Sequence, residues 1–267
     1  MLRILFILPT YNKFQYAWGA ADSFSRYSDN ALDRVLLVDD ASSLWEQQNW
    51  GLFWDALTPN YAIHRFEVNG GLTRSWNYGL QYARDKHFEY AVCGNSDILF
   101  TPGWADGLTE AARLKLDLVG PVSNCPGVRT YDHQRVDRFY PNYQTSDDPA
   151  ELTKVADYLS LAHSVGPCPA IEAPINGFFM FAKTAKWWEG RYDDQHVFCP
   201  VNEVDSRGRR NRTPLMTLNE EELQARWRTK GLRVGFTPAS FIFHYRAVSR
   251  GNRYLVPGWY RTGEHTS

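Results

Sequence analysis

Short apolar runs, each ended by polar or turn-forming residues, recur along the first half of the chain. They predict buried strands over four stretches: 4–8, 35–38, 63–68 and 90–93. Leu72, Trp76, Leu80 and Ala83 recur at helical spacing and predict a helix over 73–86, and a mixed apolar pattern predicts another over 15–27. This order of elements is that of a doubly wound α/β fold, with a mainly parallel central sheet and helices on both faces.

The second half is less regular, because two loop-rich stretches interrupt it, at 123–149 and 193–217. Its periodic segments predict helices over 105–115, 151–162 and 220–230. Its apolar segments predict strands over 176–182, 234–236 and 240–243. A length of 267 residues accommodates one large α/β domain or two small ones.

Composition and charge narrow the class of protein. An apolar fraction of 43% suits an ordinary globular core, and a net charge of −1 gives no basic surface for general nucleic-acid binding. The four cysteines are far apart and form no Cys-x-x-Cys pair, so neither a zinc site nor a disulfide framework is indicated. Residues 2–8 are too short to span a membrane and precede no cleavage site, so we expect the first strand of a soluble, cytoplasmic protein.

Polar loops follow the carboxyl ends of the four predicted strands, at 9–12, 39–42, 69–71 and 95–97. Open α/β sheets bind their ligands at this edge. Asp97 suits a hard divalent cation, since Mg²⁺ or Mn²⁺ needs only one or two protein oxygens when substrate phosphates supply others. If the segment 95–97 is considered alone, a turn cap is the simpler interpretation, because Asn, Ser and Asp all cap turns.

The loop after the first strand argues against two classes of nucleotide-binding protein. A dinucleotide-binding domain needs a glycine-rich phosphate loop at this point, and a nucleotidyltransferase normally has one rich in Gly and Lys or Arg. Here the strand is followed by Pro9, Thr10, Tyr11 and Asn12. The dinucleotide-binding interpretation therefore fails at its defining residues, and the nucleotidyltransferase stays only as an alternative.

Taken together, the four loops resemble those of the nucleotide-diphospho-sugar glycosyltransferases of the GT-A fold, in particular the large family-2 type. The similar segments are Pro-Thr-Tyr-Asn at 9–12, Val-Asp-Asp-Ala-Ser at 38–42, and the Asn-x-Gly pairs Asn69/Gly71 and Asn77/Gly79. The Asn-Ser-Asp sequence at 95–97, ahead of Thr-Pro-Gly-Trp at 101–104, is similar to the family's metal motif. The resemblance covers roughly the first 110 residues.

The second half carries a further resemblance. Glu220, Glu221 and Glu222, followed by Leu223, Arg226 and Gly231, look like the family's acidic acceptor-side motif. Aligning Arg226 and Gly231 places Asn219-Glu220 on the family's Glu-Asp pair, so this chain has Glu where the family usually has its catalytic Asp. His244 resembles the late His that completes the metal or diphosphate site in many members.

The resemblance implies a single domain over 1–267, with a small antiparallel second sheet. Its nucleotide-sugar-binding half is 1–110, its acceptor-binding half is 111–250, and a C-terminal tail covers 251–267. The donor residues it implies are Pro9, Thr10, Tyr11, Asn12, Asp39, Asn69, Gly71, Arg74, Asn95, Ser96 and Asp97. Asp40 is a weaker candidate beside Asp39, and Arg246 and Arg250 are weaker candidates for the diphosphate.

For the chemistry, the resemblance implies Mn²⁺ or Mg²⁺ at Asp97 and His244, and Glu220 as general base with Glu221 as second candidate. The candidate acceptor residues are Asn176, Gly177 and Trp187. Each has a structural alternative: acidic residues in the first turn favour the helix dipole in any protein, and Trp pairs such as Trp187-Trp188 usually pack.

The functional hypothesis is an inverting glycosyltransferase, since inversion requires a base and retention on the same fold does not. Its donor would be UDP-, GDP- or dTDP-linked, and its acceptor a glycan, a lipid-linked glycan or a protein. We expect no nucleic-acid partner and no membrane span, and peripheral attachment to a membrane is left open. The alternative to an enzyme is a non-catalytic sugar- or nucleotide-binding module that has lost its base.

Overall fold

The computed structural model describes residues 3–29, 31–44, 61–127, 129–164, 166, 168–211 and 219–245. Ten strands lie within these ranges: β1 Ile4–Thr10, β2 Arg34–Asp39, β3 Tyr61–Arg65, β4 Tyr90–Gly94, β5 Ile98–Leu99, β6 Leu118–Val122, β7 Ile171–Glu172, β8 Phe179–Lys183, β9 Val234–Phe241 and β10 Phe243–His244. Six α-helices lie within them: α1 Phe14–Arg26, α2 Leu72–Asp85, α3 Trp104–Leu114, α4 Pro149–Ala162, α5 Thr184–Glu189 and α6 Asn219–Thr229. Two 3₁₀ helices cover Arg129–Gln134 and Val136–Arg138.

The central sheet has eight strands in the order β3-β2-β1-β4-β8-β6-β9-β7. The first four are parallel to one another, as are β6 and β9, whereas β8 runs antiparallel to both of its neighbours and β7 runs antiparallel to β9. A separate antiparallel pair, β5 and β10, places His244 opposite Ile98. The mainly parallel sheet with a small second sheet confirms the predicted fold class.

Alternation along β1 distributes its side chains to the two faces of the sheet. Leu5 and Ile7 join one core cluster, which includes Trp76 and Leu80 of α2. Their neighbours Ile4, Phe6 and Leu8 join the other, with Phe24 of α1 and Trp104 of α3. Every residue of β1 is buried, as expected for a strand covered by helices on both faces.

Gly79 sets how closely α2 approaches the sheet. A Cβ added at this position would lie 2.3 Å from the Cγ2 atom of Ile7. The glycine therefore permits a helix–strand approach that a side chain would prevent. This gives a packing reason for the second Asn-x-Gly pair of the sequence.

Three predicted boundaries were wrong in detail. The third strand is Tyr61–Arg65 rather than 63–68, because the chain turns after Phe66 and brings that ring beneath the Arg74 guanidinium. The last two predicted strands are one strand up to Phe241, with a register irregularity where Pro238 lies, as is usual for proline inside a sheet. The strand predicted from 176 begins at Phe179.

None of the helices in the described part of the chain combines the length and the hydrophobicity needed to cross a lipid bilayer.

Candidate active site

The loops that follow β1 and β2 are hydrogen-bonded to each other. The Asn12 backbone N–H donates to Ser42 Oγ (2.8 Å), and the Ser43 N–H donates back to Asn12 Oδ1 (3.0 Å). Asn12 has a φ of 52°, a left-handed conformation that Asn tolerates better than most residues. Pro9 and Thr10 are buried in β1, whereas the Tyr11 side chain is 51% exposed and accessible to a ligand.

Asp39 lies buried at the end of β2. Its Oδ1 accepts from the Ser42 N–H (3.0 Å), and its Oδ2 accepts from Arg65 Nη1 (3.0 Å). A carboxylate oxygen has two lone pairs, so each retains capacity for one more donor. The carboxylate is therefore fixed in orientation at the edge of the sheet where the sequence predicts the nucleotide.

Asp40 shapes the next loop. Its carboxylate accepts from the backbone N–H groups of Gly70 (3.0 Å) and Gly71 (2.6 Å), and it pairs with the Arg74 guanidinium. Gly71 has a φ of 85°, a backbone conformation that would be strained for a residue with a side chain. The hydrogen bonds to Asp40 thus fix the loop that contains the half-buried Asn69.

Arg74, a candidate for the diphosphate, is directed inward here. Its guanidinium bonds to Asp40 and to the Val68 carbonyl, and it lies 3.8 Å from the centroid of the Phe66 ring. To contact a phosphate, it would have to give up at least one of these partners. Arg246 and Arg250 lie outside the described residues, as do the tail 251–267 and part of the loop predicted at 193–217.

Asp97 and His244 meet across the small sheet. Asp97 precedes β5 and His244 ends β10, so the antiparallel pairing of these strands brings His244 Nε2 to 3.4 Å from Asp97 Oδ1. Both side chains are buried, and the Tyr245 backbone N–H donates to the Asp97 carbonyl (2.9 Å). Asn95 and Ser96 are half-buried beside them.

The partners of His244 determine which ring nitrogen carries the proton. Its Nδ1 lies 2.8 Å from the Cys125 carbonyl, which can only accept, so Nδ1 is the donor. The Nε2 atom is buried and has no hydrogen-bond partner among the described residues. In the neutral ring Nε2 therefore presents a lone pair toward a carboxylate oxygen, an arrangement that is repulsive until a positive charge lies between them.

This geometry fits a divalent cation held by both side chains. Imidazole nitrogen and carboxylate oxygen are ligands for Mn²⁺, and a ligating His typically donates its other N–H to a backbone carbonyl, as His244 does to Cys125. Within the described residues, no group of three or more His, Cys, Asp or Glu side chains could hold a metal by itself. The remaining ligands would have to be water and substrate phosphate, which is usual for a catalytic Mg²⁺.

The three glutamates at the start of α6 occupy different environments. Glu222 is buried in an ion pair with Arg226, at 2.8 Å, and also accepts from Ser206 Oγ (2.8 Å). The Glu221 side chain is 44% exposed and lies 3.6 Å from Arg207. Glu220 is buried, and a Cβ added to Gly177 would lie 3.0 Å from its side-chain carbons.

The segment 176–178 lies between the Asp97–His244 pair and Glu220. Gly177 packs against Glu220, and the ring of the next residue, Phe178, is stacked on the His244 imidazole with centroids 4.8 Å apart. The Phe178 carbonyl also accepts from the Asn95 N–H (2.8 Å). The structure thus brings predicted metal, donor and catalytic residues together around one short stretch of backbone.

Trp187 does not lie at this site. Its side chain is fully buried, its indole N–H donates to the Ala91 carbonyl (3.1 Å), and its ring packs edge-on against Trp227 at 5.4 Å. A fully buried indole cannot contact an acceptor in this arrangement, so the packing alternative describes Trp187.

Several site residues were missed from the sequence. The Asn124 side-chain amide bonds to both backbone groups of His244, at 2.7 and 3.0 Å, and therefore fixes the end of β10. Asn77 holds the backbone of Val197 and Phe198 through three hydrogen bonds. Asn124 lies in a loop with no periodicity, so no local signal identified it, whereas Asn77 was noticed only as part of a spacing.

Comparisons with known proteins place this geometry in context. The family model described as glycosyl transferase family 2 matches residues 5–175. None of the curated protein sequences is a significant match.

Solved structures share the fold at low sequence identity. They include residues 1–349 of S. aureus TarS (14% identity, 91% of this chain and 60% of that chain, TM-score 0.53). GalNAc-T7, solved with UDP, GalNAc and Mn²⁺, is also similar (12%, 91% and 43%, TM-score 0.58). So is the mannosyltransferase PcManGT from Pyrobaculum calidifontis with GDP-Man and Mn²⁺ (16%, 92% and 58%, TM-score 0.52). The present chain thus spans 43% to 60% of these proteins.

Proposed function

The chain belongs to glycosyl transferase family 2, and from that premise we propose that it is an inverting transferase with Glu220 as its general base. It would move a sugar from a nucleotide diphosphate to a hydroxyl group of a glycan, a lipid-linked glycan or a protein. The observation that carries this proposal is the position of 176–178, which packs Gly177 on Glu220 and Phe178 on His244. A leaving-group site and a carboxylate base are thereby neighbours.

The donor site is proposed at the carboxyl ends of β1, β2 and β4. TarS has been solved with UDP-GlcNAc, and PcManGT with GDP-Man, so this fold accommodates both uracil and guanine nucleotides. Asp39, fixed by Ser42 and Arg65, would accept a hydrogen bond from the base or the ribose. Tyr11, Asn12 and the loop with Asn69 and Gly71 would surround the nucleotide.

Asp97 and His244 would hold Mn²⁺ or Mg²⁺, because their facing atoms and the Cys125 contact suit a shared cation. GalNAc-T7 and PcManGT were both solved with Mn²⁺, which supports manganese use on this fold. When bound, such a cation neutralises negative charge on the leaving diphosphate.

The chain's own residues would carry the remaining chemistry. Glu220 accepts the proton of the acceptor hydroxyl while the oxygen attacks the anomeric carbon and the bond to the diphosphate breaks. Attack from the face opposite the leaving group inverts the configuration. Because Glu220 is buried against Gly177, its carboxylate has restricted freedom, which favours a fixed position relative to the donor.

The proposal also assigns different ligands to the two halves of the chain. Residues 1–110 would bind the nucleotide sugar and 111–250 the acceptor, within a single domain over 1–267. This division is supported by the strand order, since β3-β2-β1-β4 from the first half lie on one side of the sheet and β8-β6-β9-β7 from the second half lie on the other. Both halves contribute side chains to one core cluster, which suits a single domain.

The test is a thermal-shift and hydrolysis screen of the purified protein against UDP-, GDP- and dTDP-sugars, with and without Mn²⁺. A ligand at 100 times its Kd adds about 2.7 kcal/mol to stability, which a melting curve resolves. We expect a metal-dependent shift with one nucleotide, which Asp97→Ala abolishes. No shift with any donor would overturn the proposal, and a shift without hydrolysis or transfer would favour a non-catalytic binding module.

A further inference from the structure

Two buried glutamines and a histidine hold the backbone that contacts Glu220. Gln224 on α6 accepts from the Ile175 N–H (2.9 Å) and donates to the Ile175 carbonyl (2.7 Å). Gln134 accepts from the Asn176 N–H (2.8 Å), and the His133 imidazole lies 2.6 Å from the Pro174 carbonyl. Three consecutive residues, 174–176, are thus bonded by side chains where β8 has not yet begun.

The order of these contacts sets the direction of the segment beside α6. Ile175 contacts Gln224, and Gly177 contacts Glu220, four residues earlier on the same helix. The segment therefore runs antiparallel to α6 with two contact points, and the chain turns at Gly177 and Phe178 before β8 begins. Because Ile175 is bonded only two residues before Gly177, the Gln224 pair restrains the backbone that makes the Gly177 contact.

Gln134 and the segment 174–176 are closely packed against β6. A Cβ added to Gly120 would lie 2.8 Å from Gln134 Nε2 and 3.3 Å from Ile175, so the second glutamine and the segment fill the space above β6. Gln134 Nε2 also donates to the Pro121 carbonyl (3.0 Å), so both ends of its amide are used. Gln224 is 2% exposed and also uses both ends of its amide.

We propose that Gln224 is a positioning residue for Glu220. It acts through the backbone: its amide fixes Ile175, Ile175 fixes the Gly177 contact, and that contact sets the orientation of the Glu220 side chain. This inference rests on the proposed function for its catalytic consequence, but the restraint on 174–177 is a property of the protein whether or not it is an enzyme.

The variant that tests it is Gln224→Met, which keeps the side chain's length and removes both hydrogen bonds. Exchange of the Ile175 amide hydrogen, followed in a peptide covering residues 171–178, should accelerate at least tenfold, because this N–H loses its acceptor. With the sugar nucleotide that wild type hydrolyses fastest, kcat should fall about 10- to 100-fold, the scale of a misplacement near 1 Å. KM for that donor, and the thermal shift with its nucleotide diphosphate and Mn²⁺, should stay within twofold.

Two controls separate positioning from general destabilisation. Gln81→Met makes the same substitution at a half-buried surface glutamine that bonds to Asp85, and it should change neither exchange nor kcat. Leu108→Ala opens the opposite core cluster, so it should lower the melting temperature without a selective loss of kcat. Gly177→Ala perturbs the same contact from the backbone side and should reproduce the kcat loss of Gln224→Met if that variant folds poorly.

The results distinguish this inference from the proposed function. If wild type neither binds nor hydrolyses any donor, the proposed function fails, while faster exchange in Gln224→Met still establishes the restraint. If exchange accelerates but kcat stays within twofold of wild type, Gln224 has no positioning role. Loss of the thermal shift with the donor's nucleotide diphosphate, together with the loss of kcat, would also overturn the inference, because the variant would then have damaged the fold as a whole.

Discussion

His244 Nε2 lies 3.4 Å from Asp97 Oδ1, with the opposite ring nitrogen committed to the Cys125 carbonyl. Two atoms with lone pairs are held together by rigid strand pairing and by Asn124. With a neutral ring these two atoms repel each other, and a cation between them would remove the repulsion. This relationship leads to the first prediction.

Removing the imidazole should weaken metal-dependent nucleotide binding. For the nucleotide diphosphate of the preferred donor, we expect His244→Gln to raise the Kd at least tenfold in the presence of Mn²⁺ and to change it little without metal, since the ring supplies one of two proposed protein ligands. Isothermal titration calorimetry measures both values. His196→Gln, at a partly exposed histidine paired with Asp193, is the matched control. Unchanged Mn²⁺-dependent binding in His244→Gln would remove His244 from the metal site.

The two candidate bases should differ in their effect on turnover. Glu220→Gln should lower kcat about 10²- to 10⁴-fold, the usual contribution of general base catalysis, with little change in donor affinity. Glu221→Gln should cost far less, because that carboxylate is half-exposed and faces Arg207. Steady-state kinetics of both variants decides the assignment, and a larger loss in Glu221→Gln would transfer the role to that residue.

Asn77 should matter for stability more than for chemistry. Its side chain bonds to the N–H groups of Val197 and Phe198 and to the Phe198 carbonyl. Asn77→Ala leaves these buried groups without partners, so we expect it to lower the free energy of unfolding by about 2–4 kcal/mol. Urea denaturation measures the loss, with Gln81→Ala on the exposed face of α2 as control. A loss below 1 kcal/mol would mean that water replaces the amide.

Asp33 gives a pH dependence with a defined sign. Burial raises the pKa of its carboxyl group above the ordinary value, although the backbone N–H groups of Ile4 and Asp29 oppose the shift. The folded state therefore binds this proton more tightly than the unfolded state, and the resulting stabilisation is lost as pH rises from about 4 through the folded pKa. Relative to wild type, Asp33→Asn should gain stability between pH 4 and pH 7 in urea titrations. An unchanged difference across that range would contradict the shift.

The sheet was predictable because its signals are local. A strand that is buried on both faces has a continuous apolar run, and such runs identified β1, β2 and β4. A helix that is buried on one face has apolar residues at helical spacing, and this pattern identified α2. The short helix α5 and the edge strand β7 were not predicted, because a pattern of two to six residues is too short to distinguish a helix or a strand from a loop.

The candidate site was predictable only where its residues lie at strand ends or within a motif. Asp39, Asp97 and Glu220 were proposed in this way and stay predictions, whereas the contacts of Asn124, Gln134 and Gln224 join distant parts of the chain. A polar side chain that bonds to backbone 49 residues away, as Gln224 does to Ile175, has no signature in its own neighbourhood. The prediction that Trp187 contacts the acceptor had a different difficulty, since an aromatic pair has the same sequence pattern in a core and at a sugar-binding site.

The pairing of β5 with β10 has a consequence for the protein's synthesis. Asn124 and His244 are 120 residues apart, so the contact that fixes His244 forms only after nearly all of the described chain has left the ribosome. The parallel strands β1 to β4 are complete long before then, because domains begin to fold from their N-terminal side during translation. We expect nascent chains that stop short of β10 to lack the contact between Asp97 and His244, and with it the proposed metal site.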